Sequence, residues 1–575
     1  MMLAESQLAR PDKIVLVGYF LLMLGIGAYF YRHMRGMKDY FSGGNRIPWW
    51  LSGVSFYMSS FSVATFVQYS ALAYKYGWVS VTLYWVTVPA TLISVVLLAS
   101  RWRRARINSP VEYLEERYGA AARQVFAWQG IPVTLIDDAL KLVAIGGLFI
   151  APLLGWSVRE SVMIVGLIML SYTFLGGLWA VVVTDFVQFA VMTAAVIVLV
   201  PLSLGRVGGW DAFVDHAPEG FFDVVHPEYD WIYIGANIVL FTLALSTRWA
   251  LVQRYYCVPK ERDAIKVGVT VVVLNVIGPP LMFLPAMAAR QFLGGLEDKS
   301  VYAELCMALL PAGMLGLVMA AMFSATMSML SSDYNVCASV LTNDVYRRIL
   351  RPDASPRQLV WMGRLMTLLV GLIALGVALA IGDVGGEGLF RSMVKLFSVA
   401  TAPVAIPMIA GLLSRRVTHA GALGGFLGGI VVGIIVFFVC PDAVAWRGMM
   451  LKKETVILFS TIPSTLAATW LAVRMGRPGA SEQARAESFL RRLDVPIGRL
   501  EQDGAAADGQ GGIPPFGVVG VSLLLIGALM LAILPDVQEG PAHTINAWIG
   551  AALVAVGGVM VLGGWWAGKA KERST

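Results

Sequence analysis

The stretch "FSATMSMLSSDYNV", residues 323 to 336, sits inside a long apolar segment yet carries five serine and threonine hydroxyls, Ser324, Thr326, Ser328, Ser331 and Ser332. It also carries the carboxylate of Asp333 and the amide of Asn335. A helix brings positions i, i+3, i+4 and i+7 onto one face, so Ser324, Ser328, Ser331, Ser332 and Asn335 form a polar stripe. A single serine in such a helix needs no function, because it can bond back to a carbonyl one turn earlier or let a neighbour pack closely. So many oxygens in so short a run ask for more. Hydrocarbon cannot solvate a carboxylate, and an acid within a span faces a cavity, a partner charge or an ion. Asp333 is therefore a site candidate, as is Asp185 in "LGGLWAVVVTDFVQ" (175 to 188).

The rest of the chain has the composition of a polytopic membrane protein. It has 575 residues, 57% hydrophobic and 14% charged, where a soluble domain carries about 25% charged residues; the mean hydropathy is +0.70. A bilayer crossing needs roughly 20 apolar residues. Such runs recur at 13 to 31, 48 to 74, 78 to 99, 124 to 153, 157 to 175, 176 to 204, 231 to 256 and 266 to 292. They continue at 311 to 343, 358 to 382, 388 to 413, 418 to 439, 454 to 474, 514 to 534 and 545 to 567, fifteen predicted helices in all. The loops between them alternate in charge. If the N-terminus lies outside, inward loops hold 30 of the 44 Lys and Arg, the bias expected of cytoplasmic loops. That puts the C-terminus in the cytoplasm of a multi-pass cell-membrane protein, and it makes the net charge of +7 a mark of topology rather than of a nucleic-acid partner.

Cys257, Cys306, Cys337 and Cys440 show no paired spacing and read as small core residues. The first apolar run follows "MMLAESQLARPDK" without a small-residue cleavage site and is expected to be retained. There is no HExxH, GxSxG or phosphate-binding glycine loop, and the chain is not read as an enzyme. Two stretches are soluble in character: an acidic outward loop, 205 to 230, and a cytoplasmic linker, 475 to 513. The glycine-rich run "GALGGFLGGIVVG" (421 to 433) is read as a close-packing face. Within the second span, hydroxyl-rich "FYMSSFS" (56 to 62) lies between two apolar halves. It is either an ordinary packed helix or a broken one lining a cavity, where freed carbonyls and hydroxyls suit a hard cation such as sodium.

Four motifs in order carry a resemblance. "DYFSGGNRIPWWLSGVSFYMSS" (39 to 60), "LGGLWAVVVTDFVQ", "LVQRYYCVPKERDA" (251 to 264) and "SMLSSDYNVCASVLTNDVYRR" (328 to 348) resemble the signatures of the sodium:solute symporter family, which includes sodium/glucose, sodium/proline and sialic acid cotransporters. The resemblance implies an all-α LeuT-like fold of two inverted five-helix repeats, at 48 to 204 and 231 to 413, around a site at the bilayer midplane. Residues 1 to 47 are then an extra helix and first cytoplasmic loop, 414 to 474 peripheral helices, and 514 to 575 a C-terminal helix pair. It implies a main sodium site made of the carbonyls of Met58, Phe61 and Ala325 with the hydroxyl of Ser328. The next position, where a second hydroxyl is expected, is Met329, a poor ligand for a hard cation. A second sodium site, found in some members, would take Asp185, Ser331 and Ser332.

For the solute, the resemblance points to Thr65 and Gln68 on the first core helix, while Asn275 stands where the sugar-carrying branch has a lysine. In "LIDDALKL" (135 to 142), Asp137 and Asp138 lie four and three residues before Lys141, the spacing of a same-face ion pair. Asp138 and Lys141 are either solute contacts or a structural pair. Arg248 either clamps a carboxylate bidentately or neutralises Asp137 or Asp138. The expected function is symport: sodium moving inward drives uptake of a small polar solute, a sugar or a carboxylate-bearing compound, across the lipid bilayer. A proton-coupled or sodium-independent carrier, with Asp185 or Asp333 accepting the proton, and a non-transporting solute sensor are the alternatives that Met329 leaves open.

Overall fold

Breaks rich in serine, glycine and proline determine where these apolar runs become helices. The computed structural model describes residues 8–33, 42–60, 62–107, 110–175, 178–296, 301–382, 386–446, 449–476, 478–500 and 515–572. In chain order, α1 is Arg10–His33, α2 Trp49–Met58, α3 Val63–Tyr76, α4 Val79–Arg104, α5 Pro110–Tyr118, α6 Ala120–Leu154 and α7 Val158–Leu175. There follow α8 Leu178–Arg206, α9 Trp231–Thr247, α10 Trp249–Tyr256, α11 Glu261–Phe292, α12 Met314–Val340, α13 Pro356–Ile381, α14 Gly386–Leu413, α15 His419–Val439 and α16 Lys453–Met475. The chain ends with α17 Ala480–Asp494, α18 Pro515–Ala532 and α19 Pro541–Glu572. Ala443–Trp446 and Met449–Lys452 form a small antiparallel hairpin between α15 and α16.

Among the described residues, eleven helices are long and apolar enough to cross a membrane, or 13 if each of two bent pairs is one span. The difference from fifteen arises at two places. The span expected at 48 to 74 is divided into α2 and α3, of 10 and 14 residues, each too short to cross alone. The pair α6 and α7 turns through 118°, a reversal that the sequence reading treats as two spans. The other bent pair, α9 and α10, turns through 56° at Arg248, whose backbone is extended (φ −60°, ψ 125°). The two interrupted spans thus begin at residues 49 and 231, where the repeats were expected to start.

The central helix is α12. In its apolar window 94% of residues are buried inside the protein, against 28% to 56% in the other single spans, so protein rather than lipid solvates its polar stripe. Its N-terminus is held by α1: Asp12 Oδ1 accepts from the amides of Gly313 (2.8 Å) and Gly316 (2.7 Å). A carboxylate there satisfies two of the unpaired donors that begin a helix. The glycine run 421 to 433 packs α15 against α16, where a Cβ on Gly425 would fall 2.0 Å from the Thr469 hydroxyl. Linker 475 to 513 contains α17, which docks on α5 through Phe489 against Tyr113, ring centroids 5.4 Å apart. The C-terminal pair α18 and α19 reaches the core through Phe516 against Trp50 (4.6 Å). Cys257, Cys306, Cys337 and Cys440 are free thiols.

Candidate functional site

The break between α2 and α3 lies against α12. Ser62 turns its amide to Thr65 Oγ1 (3.3 Å), away from the Met58 carbonyl that a continuous helix would give it. The amide of Val63 donates to Thr326 Oγ1 (3.2 Å), and Ser59 shares a hydrogen bond with Ser332 (3.0 Å). Amides at the break thus find side-chain hydroxyls, one within α3 and one on α12, the arrangement required of irregular backbone at membrane depth.

The stripe divides by task. Ser331 donates to the Ser328 carbonyl (3.1 Å), the local bonding open to any serine, while Ser324 meets both the Ala320 carbonyl (2.6 Å) and the Tyr19 hydroxyl of α1 (2.7 Å). Thr326 and Ser332 reach other helices. Ser328 is fully buried, and its hydroxyl lies near the Asp185 carboxylate without hydrogen-bond geometry, so Ser328 Oγ and Asp185 Oδ1 remain unspent. Unspent buried oxygens are costly unless a cation or water uses them. Ser328 belongs, with the carbonyls of the buried Met58 and Ala325, to the oxygen set that the resemblance implies for the main sodium site; Phe61 lies outside the described residues. Met329 lines the neighbouring cavity.

Of the residues expected for the second site, Asp185 and Ser332 are engaged by Arg254, a fully buried residue whose role the sequence reading missed, whereas Ser331 is not. Its guanidinium donates to Ser55 (2.7 Å), Ser59 (3.1 Å) and Ser332 (2.7 Å), and stands 3.7 Å from Asp185. Asp185 Oδ2 also accepts from the Ser55 hydroxyl. In this conformation an arginine side chain supplies the positive charge that a second sodium ion would bring. The sequence signal was present in "LVQRYY", where an arginine follows two turns after Arg248 in an apolar helix.

One turn along, Asp137, Asp138, Lys141, Arg248 and Asp333 form a single buried charge network. Lys141 Nζ lies 2.8 Å from Asp137, 2.7 Å from Asp138 and 2.9 Å from Asp333. Arg248 Nη2 lies 2.8 Å from Asp137 and 2.6 Å from Asp333. Both readings of Arg248 meet here, since it neutralises Asp137 while 21% of its side chain stays exposed. The network forms one wall of a cavity between the two broken spans, lined by Thr65, Gln68, Tyr69, Trp249, Asn275 and Met329 among others. Asp137, Arg248 and Asp333 face this cavity; Asp138 and Lys141 are sealed behind them. Of the five solute candidates, then, Thr65, Gln68 and Arg248 line the cavity and two do not. Residue spacing showed that Asp137, Asp138 and Lys141 share a face, but only the packing of α12 and α10 decides which acid opens inward.

Comparison with known proteins identifies the family. The model of the sodium:solute symporter family matches residues 40–429, more than half of the chain. The chain belongs to the sodium:solute symporter family. It is a sodium-coupled solute transporter of the membrane and not an enzyme. Among curated relatives, the sodium/sialic acid symporter SiaT of Proteus mirabilis is 24% identical over 72% of this chain and 86% of its own. The sodium/glucose cotransporter of Vibrio parahaemolyticus is 24% identical over 73% of this chain and 84% of its own. Among solved structures, a substrate-bound, outward-open sodium-coupled sialic acid symporter superposes with a TM-score of 0.69 at 21% identity, covering 81% of this chain and 98% of that one. The likeness establishes the LeuT-like helical fold.

Proposed function

We propose that this symporter imports a sugar or a similar small polyhydroxylated solute, with Thr65, Gln68 and Arg248 among the groups that meet it. The observation that carries this reading is the cavity lining: neutral hydroxyls and amides stand beside Tyr69 and Trp249, while the one arginine is already paired with two carboxylates. Aromatic faces with a few polar groups suit a ring bearing hydroxyls. The relatives' named solutes, sialic acid and glucose, fit the same description. A carboxylate-bearing solute is the second reading, favoured by the exposed part of Arg248. Asp137 and Asp333 hold Arg248 in place for either solute, and Lys141, paired with Asp138, braces those two acids from behind.

Sodium binds at the Met58 and Ala325 carbonyls and Ser328, with Phe61 completing the set. A second ion at Asp185, Ser331 and Ser332 requires Arg254 to release Ser332. The repeats at 48 to 204 and 231 to 413 rock about this centre, with the N-terminus outside and the C-terminus cytoplasmic. The test is uptake into proteoliposomes. Labelled glucose is expected to accumulate under an inward sodium gradient and to stop when choline replaces sodium; stronger competition by sialic acid selects the second reading. Accumulation that ignores choline would point to proton coupling. Binding without accumulation would point to a sensor.

A further inference from the structure

The charge network behind the cavity does not balance. Three carboxylates, Asp137, Asp138 and Asp333, face two cations, Lys141 and Arg248. All three acids are at least 95% buried, where an unpaired ionised carboxylate is strongly disfavoured. The deficit can be assigned. Asp137 and Asp333 each touch both cations. Asp138 touches Lys141 alone, through Oδ1, and its Oδ2 has no hydrogen-bond partner. Asp137 Oδ1 is also unpartnered, but the other oxygen of that residue holds two cations. Among the described residues, the charged groups facing Asp138 are Lys141 and Asp137 on its own helix, Asp333 on α12 and, without touching it, Arg248 at the start of α10; Tyr334 and Cys337 of α12 approach it as neutral groups.

We infer that Asp138 is a proton-binding site, occupied while the transporter works, so that the network behind the cavity is neutral. The ligand is a proton rather than sodium because Asp138 is fully buried and absent from the cavity wall. A metal ion would have to displace Lys141 or Arg248 to reach it. The three carboxylates present oxygens within 4.8 Å of one another, so a proton arriving from water at Asp137 or Asp333 has a short relay to Asp138. There it forms one O–H bond on Oδ2, and Oδ1 continues to accept from Lys141. The inference rests on the network and not on the solute.

Infrared spectroscopy of the purified full-length protein in liposomes tests it without any solute. At neutral pH the protonated-carboxyl C=O band of the wild type is expected to lose one component in Asp138→Asn. Asn copies the protonated acid, so Asp138→Asn is expected to fold and to bind radiolabelled sodium within about twofold of wild type. The wild-type band is expected to fade on alkaline titration, a fading that Asp138→Asn lacks. An unchanged band in Asp138→Asn would overturn the inference. So would failure of Asp138→Asn to fold, because a neutral isostere would then have proved unacceptable where a neutral acid was assigned.

Discussion

At position 329 a thioether stands where the resemblance implies a second hydroxyl, which leaves Ser328 as the one side-chain oxygen of the proposed main sodium set. Its hydroxyl is buried and unspent, so truncation removes a ligand and little else. Ser328→Ala is expected to raise the dissociation constant for radiolabelled sodium about tenfold, or ~1.4 kcal/mol, while Met329→Ser lowers it. Asp12 shows the opposite case, a buried acid with a structural task. Asp12→Ala leaves the amides of Gly313 and Gly316 without their acceptor, and a buried orphan costs roughly 1–3 kcal/mol. Thermal unfolding in detergent is expected to show a loss of about 2 kcal/mol, with sodium affinity unchanged in the folded fraction.

At the scale of elements, α17 straps together loops that are distant in sequence. Arg106 donates to the carbonyls of Arg492 (3.1 Å), Val495 (3.2 Å) and Pro496 (3.0 Å), and Arg485 donates to that of Tyr118 (3.2 Å). The largest apolar anchor is Phe489, 2% exposed, beside the buried Leu490 and Leu493. Phe489→Ala forfeits about 3–5 kcal/mol of local packing and is expected to undock the strap, read as faster tryptic cleavage at Arg485 and Arg491 with the spans intact. Glu115 joins α5 to α6 and to the tail of α12 through Arg123 and Arg348 (2.8 Å). Partial burial pulls its carboxyl upward, but hydrogen bonds from the two arginines outweigh this and hold it below the usual range. The contribution to stability is therefore full above the unfolded value of about 4.3 and is lost as pH falls through the folded one. Acid unfolding of Glu115→Gln, compared with wild type, is expected to show a shallower loss below pH ~4.

For the whole molecule, the coupling of ion to solute sets what can be measured. One inward charge contributes about 2.3 kcal/mol per 100 mV, and a tenfold sodium gradient adds about 1.4 kcal/mol. Together they support a solute gradient of a few hundredfold for one ion. An inside-negative potential imposed on proteoliposomes is expected to raise sodium-driven accumulation, and collapsing it is expected to lower the plateau; accumulation indifferent to potential would exclude net charge movement.

Much of this protein is determined locally. Span positions follow from apolar length because backbone groups in hydrocarbon must be satisfied within a helix, and the polar stripe on α12 follows from a 3.6-residue repeat that any reader of residues 323 to 336 can count. The serine-rich interruption at 56 to 62 was legible for the same reason, though as an alternative to an ordinary helix. Pairing across the fold was not legible. That Arg254 fills the space beside Asp185, that Asp333 joins Asp137 rather than an ion, and that Asp138 is sealed while Asp137 opens to the cavity all depend on how α2, α10 and α12 meet. Charges in a membrane interior are placed by partners supplied from helices 78 to 199 residues away in the chain, and no local pattern records which partner will arrive.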